Sequence, residues 1–408
     1  MGILIKNALV VSQDRKRSVR YNDVLIEGNV IAEVSKKIRV STDRVIDGTG
    51  KLLMPGLVNT HTHVAMGRMR GLVDDVPLGE FLSRTSRLDS KQTGKTIRRG
   101  AELGINEMIR TGTTTFVDLY YSEDIIASAA AKSGMRAFLS WVALDKKYTT
   151  QKGDPLENAE RFIRNFRNKT GLVVPGIGLQ GVYVCGRDTI LKAKEIAEKY
   201  DCIVPMHVSE SISEISECKK RTGATPISYL EKIGALHEKL IAVHAVYASQ
   251  SDIRKLRSNN VSVSHNPTSN MKLGNGFAAP VTEMAEGGIN VSLGTDSVAS
   301  NNGLDMFGEM KAAALLQKAK TSDPTALTAQ QSLDMATLNG AKAIGMAGRL
   351  GSIQEGMLAD VVLLDPAPNG LPLTPGNAVS NIVYALNGLN ACATIINGKI
   401  AWQRKTDS

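Results

Sequence analysis

The chain has 408 residues, 42% hydrophobic and 22% charged, which suits one large α/β barrel with attachments or two to three ordinary domains and excludes a small stapled, fibrous or disordered protein. Its net charge of +9 sits in short separate clusters such as Arg15-Lys16-Arg17 and Lys219-Lys220-Arg221 without interleaved aromatics, a solvated surface and not a nucleic-acid groove. No run approaches the roughly 20 apolar residues of a membrane helix, and Met1-Gly2-Ile3-Leu4-Ile5-Lys6 lacks a basic leader and a cleavage site, so no membrane partner and a cytoplasmic location are expected.

Residues 3–11, 24–34 across Glu27-Gly28-Asn29, and 44–53 across Asp47-Gly48-Thr49-Gly50 read as short β runs, and Asn or Asp beside Gly predicts hairpins. The texture then changes to strands alternating with helical segments, as in βα units around a parallel sheet. Strands are predicted at 53–60, 113–119, 137–143, 173–180, 203–208, 240–245, 261–265 and 290–295, with helices such as 98–110, 155–168 and 189–200 between them. β texture returns at 359–365 and 393–401. Eight parallel strands close a barrel. The expected fold is α/β: a (β/α)8 TIM barrel over 55–349, with a small β-sandwich domain built from both termini, 1–54 plus 350–408. A doubly wound sheet is the alternative, but no G-x-G-x-x-G follows the first strand. Cys185, Cys202, Cys218 and Cys392 show no metal-finger spacing and are expected as free, mostly buried thiols.

The stretch Pro55-Gly56-Leu57-Val58-Asn59-Thr60-His61-Thr62-His63 ends an apolar run in an H-x-H pair. Side chains two apart on a strand share a face, so both imidazoles point at one place, as two ligands of one metal ion must. His207, His244 and His265 also fall at predicted strand ends, and Asp296 closes the last strand in Leu293-Gly294-Thr295-Asp296. A lone buried His is usually a hydrogen-bonded core residue. Five of the six histidines at the same end of barrel strands instead indicate one shared site, because active sites of such barrels lie at the strands' C-terminal ends. The sixth, His237, lies in a polar segment and is expected as an exposed connector.

Five segments together carry a resemblance: the H-x-H stretch, His207-Val208-Ser209-Glu210, Ala242-Val243-His244-Ala245, Ser264-His265-Asn266-Pro267-Thr268-Ser269-Asn270-Met271-Lys272-Leu273-Gly274, and Leu293-Gly294-Thr295-Asp296-Ser297. The chain resembles the amidohydrolase superfamily over essentially its whole length. Within it, the branch of aromatic and purine deaminases and chlorohydrolases, with S-adenosylhomocysteine/5'-methylthioadenosine deaminases, guanine deaminases and triazine hydrolases, is most similar. The resemblance implies that His61, His63, His207 and Asp296 bind one divalent metal, expected to be zinc, since three imidazoles and a carboxylate suit a borderline cation. The predicted fourth strand ends Leu179-Gln180-Gly181 without a lysine to bridge a second ion, which favours a single metal. The implied reaction is hydrolytic deamination of an amino-substituted purine or nucleoside, such as 5'-methylthioadenosine, S-adenosylhomocysteine or adenosine, by a metal-bound hydroxide with release of ammonia. Glu210 would protonate the ring, His244 orient the water, and Asp296 relay its proton to the leaving amine. His265 and Asn270 are expected in supporting or loop-ordering roles.

Loops after barrel strands set specificity, here 64–90, 144–154 and 180–187. Met66, Met69 and Phe81 are candidates for an apolar wall beside a planar ring, with ordinary packing as the other reading. Two departures concern the substrate contacts: the similar deaminases carry a histidine and an arginine where this chain has Gln180 and Trp141. Trp141 cannot pair with a carboxylate, so a neutral nucleoside is easier to accommodate than a zwitterionic tail. The alternative is hydrolysis of another heterocycle: a guanine- or pterin-type deaminase, a triazine-type chlorohydrolase or a ring amidohydrolase. The partner is a small heterocyclic molecule in each case, and the sequence neither fixes nor excludes a homo-oligomer.

Overall fold

The computed structural model describes residues 2–405 apart from 168, 170 and 277. The expected helix end at Asn168 and the chain ends Met1 and Ser408 lie outside the described residues. Among those described, β1 (Gly2–Val11), β2 (Val19–Glu27), β3 (Val30–Ser35), β4 (Arg44–Asp47) and β5 (Leu52–Pro55) come first. Then follow β6 (Leu57–Thr62), β7 (Thr113–Tyr120), β8 (Arg136–Ala143), β9 (Val173–Leu179), β10 (Val204–Val208), β11 (Leu240–His244), β12 (Ser262–His265) and β13 (Val291–Leu293). β14 (Val361–Leu364), β15 (Ala391–Ile396) and β16 (Lys399–Gln403) end the series.

β6 to β13 lie side by side in chain order, each parallel to the next. Helices between them cover the outside, so the strands are buried along nearly their whole length, as parallel strands are. Between β13 and β6 the ladder gives way to single bonds: Asp296 N donates to His61 O and Thr60 Oγ1 to Leu293 O, both at 2.9 Å. The eight-stranded barrel therefore shuts where two of the predicted metal ligands stand. A register shift between Asn59 and Thr62 re-aims the end of β6 at the same place. Two helices after β6, α1 (Leu78–Asp89) and α2 (Gly94–Arg110), lead to β7; a reciprocal Thr93–Thr96 capping box starts the second.

The chain ends meet in one sheet, β16-β15-β14-β5-β1-β2-β3, with β4 also on β1. The hairpin expected at Glu27-Gly28-Asn29 forms between β2 and β3. The one expected at Asp47-Gly48-Thr49-Gly50 does not: β4 and β5 both run parallel to β1, one after the other. Gly48 makes the jog between them, its N donating to Lys6 O (2.7 Å), where a Cβ would lie 2.7 Å from that of Ala8. The single strand predicted at 53–60 is likewise two, β5 in the terminal sheet and β6 in the barrel. Gly56 is the crossing point, packed so tightly that a Cβ would lie 2.2 Å from the Thr114 side chain. At this foot of the barrel Arg136 of β8 and Asp360, just before β14, form a buried bidentate pair with both bonds at 2.9 Å. All four cysteines are free, three of them buried. No helix among the described residues is long and apolar enough to cross a membrane.

Candidate active site

His61 and His63 leave the end of β6, His207 stands on β10, His244 ends β11, and Asp296 follows β13. The rings of His61, His63 and His207 lie 4.8 to 5.4 Å apart centre to centre. Asp296 Oδ1 sits 3.5 Å from His61 Nε2 and 3.3 Å from His63 Nε2. His61 is shared by two sets of converging donors, one with His63 and Asp296, the other with His207 and His244. The four predicted metal ligands thus stand together around His61.

Their outer contacts fix which atoms face inward. His63 Nδ1 lies 2.6 Å from Leu119 O and His207 Nδ1 2.7 Å from Gln180 O. A carbonyl only accepts, so Nδ1 carries the proton on both rings and Nε2 keeps its lone pair for the centre. His61 is fully buried, and neither of its ring nitrogens has a hydrogen-bond partner among the described residues. Asp296 is held in a left-handed backbone conformation (φ 61°) by Ser269 and Ser300 hydroxyls on Oδ2 (2.6 and 2.8 Å) and its neighbour's Ser297 N on Oδ1 (2.7 Å). Burial pushes His207 down to about 4 and His61 well below its usual range. Burial also opposes the charges of Asp296 and His63, yet their mutual contact keeps the carboxyl ionised and lifts His63 to about 9. Three imidazoles converging with a carboxylate, His61 without a hydrogen bond among the described residues and His63 holding a proton that a cation would displace, are a donor set that fits a divalent cation.

Glu210 stands beside this centre, three residues past His207. Its Oε1 accepts from Asn275 Nδ2 (2.7 Å), and its Oε2 is 3.8 Å from His244 Nε2. Burial pushes its carboxyl up to about 7. It is not a helix cap: Ser211 caps the helix Ile212–Thr222, and Glu214 accepts from Ser209 N and Glu210 N, shaping the turn that projects Glu210. His244, also left-handed (φ 74°) and pushed by burial to about 4, has its Nδ1 gripped by Asn270 (3.0 Å) and Asn266 (3.1 Å).

The amidohydrolase family profile matches residues 52–401. This chain belongs to the amidohydrolase family. A 5'-deoxyadenosine deaminase of Methanothermobacter thermautotrophicus is 42% identical over 94% of this chain and 89% of its own. A 5-methylthioadenosine/S-adenosylhomocysteine deaminase of Thermococcus onnurineus is 39% identical over 98% and 94%. Among solved structures, an adenosine deaminase from Xanthomonas campestris with bound zinc superposes with a TM-score of 0.93 at 31% identity, over 98% of this chain and 92% of that one.

In this amidohydrolase the five site residues His63, His207, Glu210, His244 and Asp296 open into one cavity of about 160 Å3. Met66 and Phe81 line it, with Leu78 and Leu82 of the same lid segment, and so does Gln180, which donates from Nε2 to Tyr183 OH (3.0 Å). Met69 is buried in the packing and does not line it. Trp141 is a correction. Alternation along β8 turns it outward onto Phe162, with its indole N donating to Gln151 Oε1 (2.8 Å), and Val142 faces the cavity instead. His265 is buried and does not line the cavity, and neither of its ring nitrogens has a hydrogen-bond partner among the described residues. His237 is half-buried, not exposed, in the connector before β11 and remote from the site.

Several site residues went unread in the sequence. Asp118 accepts from Val64 N (2.7 Å) and Thr62 Oγ1 (2.5 Å), gripping His63 from both flanks. Its signal was a carboxylate in the apolar run Phe116-Val117-Asp118-Leu119. Asn275 lies one residue past the Ser264-to-Gly274 motif, and Ser211-Ile212-Ser213-Glu214 has the S-x-x-E form of a helix start. Asp89, at the end of α1, lines the cavity and accepts from Tyr120 OH; nothing local marks it.

Proposed function

We propose that this amidohydrolase deaminates a neutral purine nucleoside of the 5'-deoxyadenosine or 5'-methylthioadenosine type, in the cytoplasm, with a single zinc ion held by His61, His63, His207 and Asp296. When bound, the ion supplies a water ionised near neutral pH. Glu210, which burial pushes up to about 7, is poised to hold a proton near neutral pH and gives it to the ring nitrogen beside the amino-bearing carbon, which makes the carbon electrophilic. His244, neutral and clamped by Asn266 and Asn270, orients the attacking water and steadies the charge that develops. Asp296 takes the water's proton and passes it to the departing amine, so one nucleoside and one water give the hydroxy-substituted product and ammonia. Asn270 acts in support; no role falls to His265 or Trp141. The division into a catalytic barrel, 55–349, and a composite β-domain, 1–54 plus 350–408, is part of the same reading.

The observation that carries the substrate class is the cavity's polarity. The lining joins the metal ligands and Glu210 with the apolar Met66, Leu78 and Phe81, the Asp89 carboxylate and the Tyr120 and Tyr121 phenols, and among the described residues no lysine or arginine lines it. A base for the metal end, sugar hydroxyls to donate to the carboxylate, and a short apolar 5' group for the Met66, Leu78 and Phe81 wall would each find a partner in that lining. An amino-acid tail would bury its carboxylate without a cation. Ammonia release from 5'-deoxyadenosine, 5'-methylthioadenosine, S-adenosylhomocysteine and guanine by the zinc-loaded enzyme tests this. The first two should exceed S-adenosylhomocysteine in kcat/KM by about tenfold or more; turnover confined to guanine would sink the reading.

A further inference from the structure

The cavity of about 160 Å3 is small against the roughly 300–1,000 Å3 usual for ligand sites. A nucleoside seated at the metal ligands would therefore press on the wall that α1 forms. The movable part is marked by how it is tied down: α1, which supplies Leu78, Phe81, Leu82, Thr85 and Asp89 to the wall, follows the segment 69–77. Besides the buried Met69 and Val73, that segment is held to the rest of the barrel mouth by one polar knot, while the far end of α1 is tied through Asp89 to Tyr120 and Tyr121. Lys272 Nζ donates to Asp74 Oδ1 (2.5 Å), Asn302 Oδ1 (2.5 Å) and Ala299 O (3.0 Å), and Asn302 Nδ2 donates to Asp74 Oδ2 (3.2 Å). Arg70 adds a bond to Asn302 O (2.8 Å) and a pair with Glu107.

Lys272 ends the helix Pro267–Lys272, which also carries Ser269 on Asp296 and Asn270 on His244. Ala299 and Asn302 belong to the loop that follows Asp296 and contains Ser300 on the same carboxylate. One ammonium thus joins the lid to both loops that hold the reacting groups in place. We propose that Lys272 and Asp74 form the latch that closes the lid over bound nucleoside, anchoring it to the two loops that already hold His244 and Asp296. The pair is partly exposed, side chains 22% and 32% accessible, so salt screens it and no deep desolvation locks it shut, as an opening latch requires. Lys272 is a positioning residue: it touches no reacting atom.

This inference rests on the nucleoside reading for its kinetic arm only. In the substrate-free, zinc-loaded enzyme, Lys272→Met and Asp74→Asn should each speed hydrogen exchange of the α1 amides by about tenfold or more while β7 to β9 stay unchanged. Salt at 0.5 M or so should speed the same amides in the parent and leave Lys272→Met unaffected. With 5'-deoxyadenosine, both variants should raise KM about five- to tenfold with kcat within about twofold, and Lys272→Arg should restore most of it. Unchanged exchange in α1 in both variants, or a fall in kcat at constant KM, overturns the latch. A parent enzyme that deaminates no nucleoside overturns the substrate reading instead, and leaves the exchange arms to decide the latch.

Discussion

The two ends of the barrel each bury a cluster of charge, and they bury it differently. At the foot, the Arg136 guanidinium meets both oxygens of Asp360, whose Oδ1 also takes Asn397 N (2.7 Å); every group in contact has its partner within the protein. At the mouth, among the described residues neither ring nitrogen of His61 has a hydrogen-bond partner, and His63 and His207 bond outward through Nδ1 with Nε2 turned in. A satisfied buried cluster fixes structure, whereas one whose free lone pairs converge is built for something that is not protein. The comparison predicts that damage at the foot shows as lost stability and damage at the mouth as lost ligand.

The largest effect should come from removing the ligand or one of its holders. Chelation, or His207→Ala, should abolish turnover and zinc retention while circular dichroism stays native; metal analysis of the parent should return about one zinc per chain. Two ions per chain would refute the single-metal proposal. Next comes Glu210→Gln, which keeps shape and the Asn275 contact but removes the proton. It should retain zinc and lose roughly 10²–10⁴ in kcat; near-parental turnover would remove Glu210 from the mechanism.

These experiments test residues that were legible before any fold was known, and the reasons are physical. A pair two apart on a strand must share a face, so His61 and His63 declared their convergence locally, and the barrel followed from the count of βα units. What was illegible depends on contacts from elsewhere. The Asp47-Gly48 turn has the chemistry of a hairpin and serves as a jog because β1 offers pairing to both sides of it. Trp141 is a candidate only because it stands where the similar deaminases carry an arginine, and one residue of parity along β8 separates the cavity from the packing around Phe162. The left-handed turns at His244 and Asp296 leave no trace in side-chain type. Asp89 reaches the cavity only because the lid folds over the mouth.

At the foot, Asp360→Ala leaves a buried guanidinium unpaired and should cost about 3–5 kcal/mol. Thermal and urea unfolding should show that loss, with kcat per folded molecule and zinc content unchanged; Asp360→Asn should do the same more mildly. An activity loss exceeding the folded fraction would mean that the two ends are coupled through the barrel.

The smallest effect separates the ends most cleanly. Ser269 and Ser300 both donate to Asp296 Oδ2, and each is a buried partner just as Asp360 is a partner of Arg136. Were the mouth a structural cluster, Ser269→Ala or Ser300→Ala would lower the unfolding midpoint of the metal-free protein. Because each hydroxyl instead orients a carboxylate for a ligand, single alanines should leave that midpoint nearly unchanged and weaken zinc affinity about tenfold, measured by chelator competition, with kcat recovered at saturating zinc. The double variant should lose more than the two singles combined, since either hydroxyl alone still fixes Oδ2 and only their joint removal frees the carboxylate to turn away from His61 and His63.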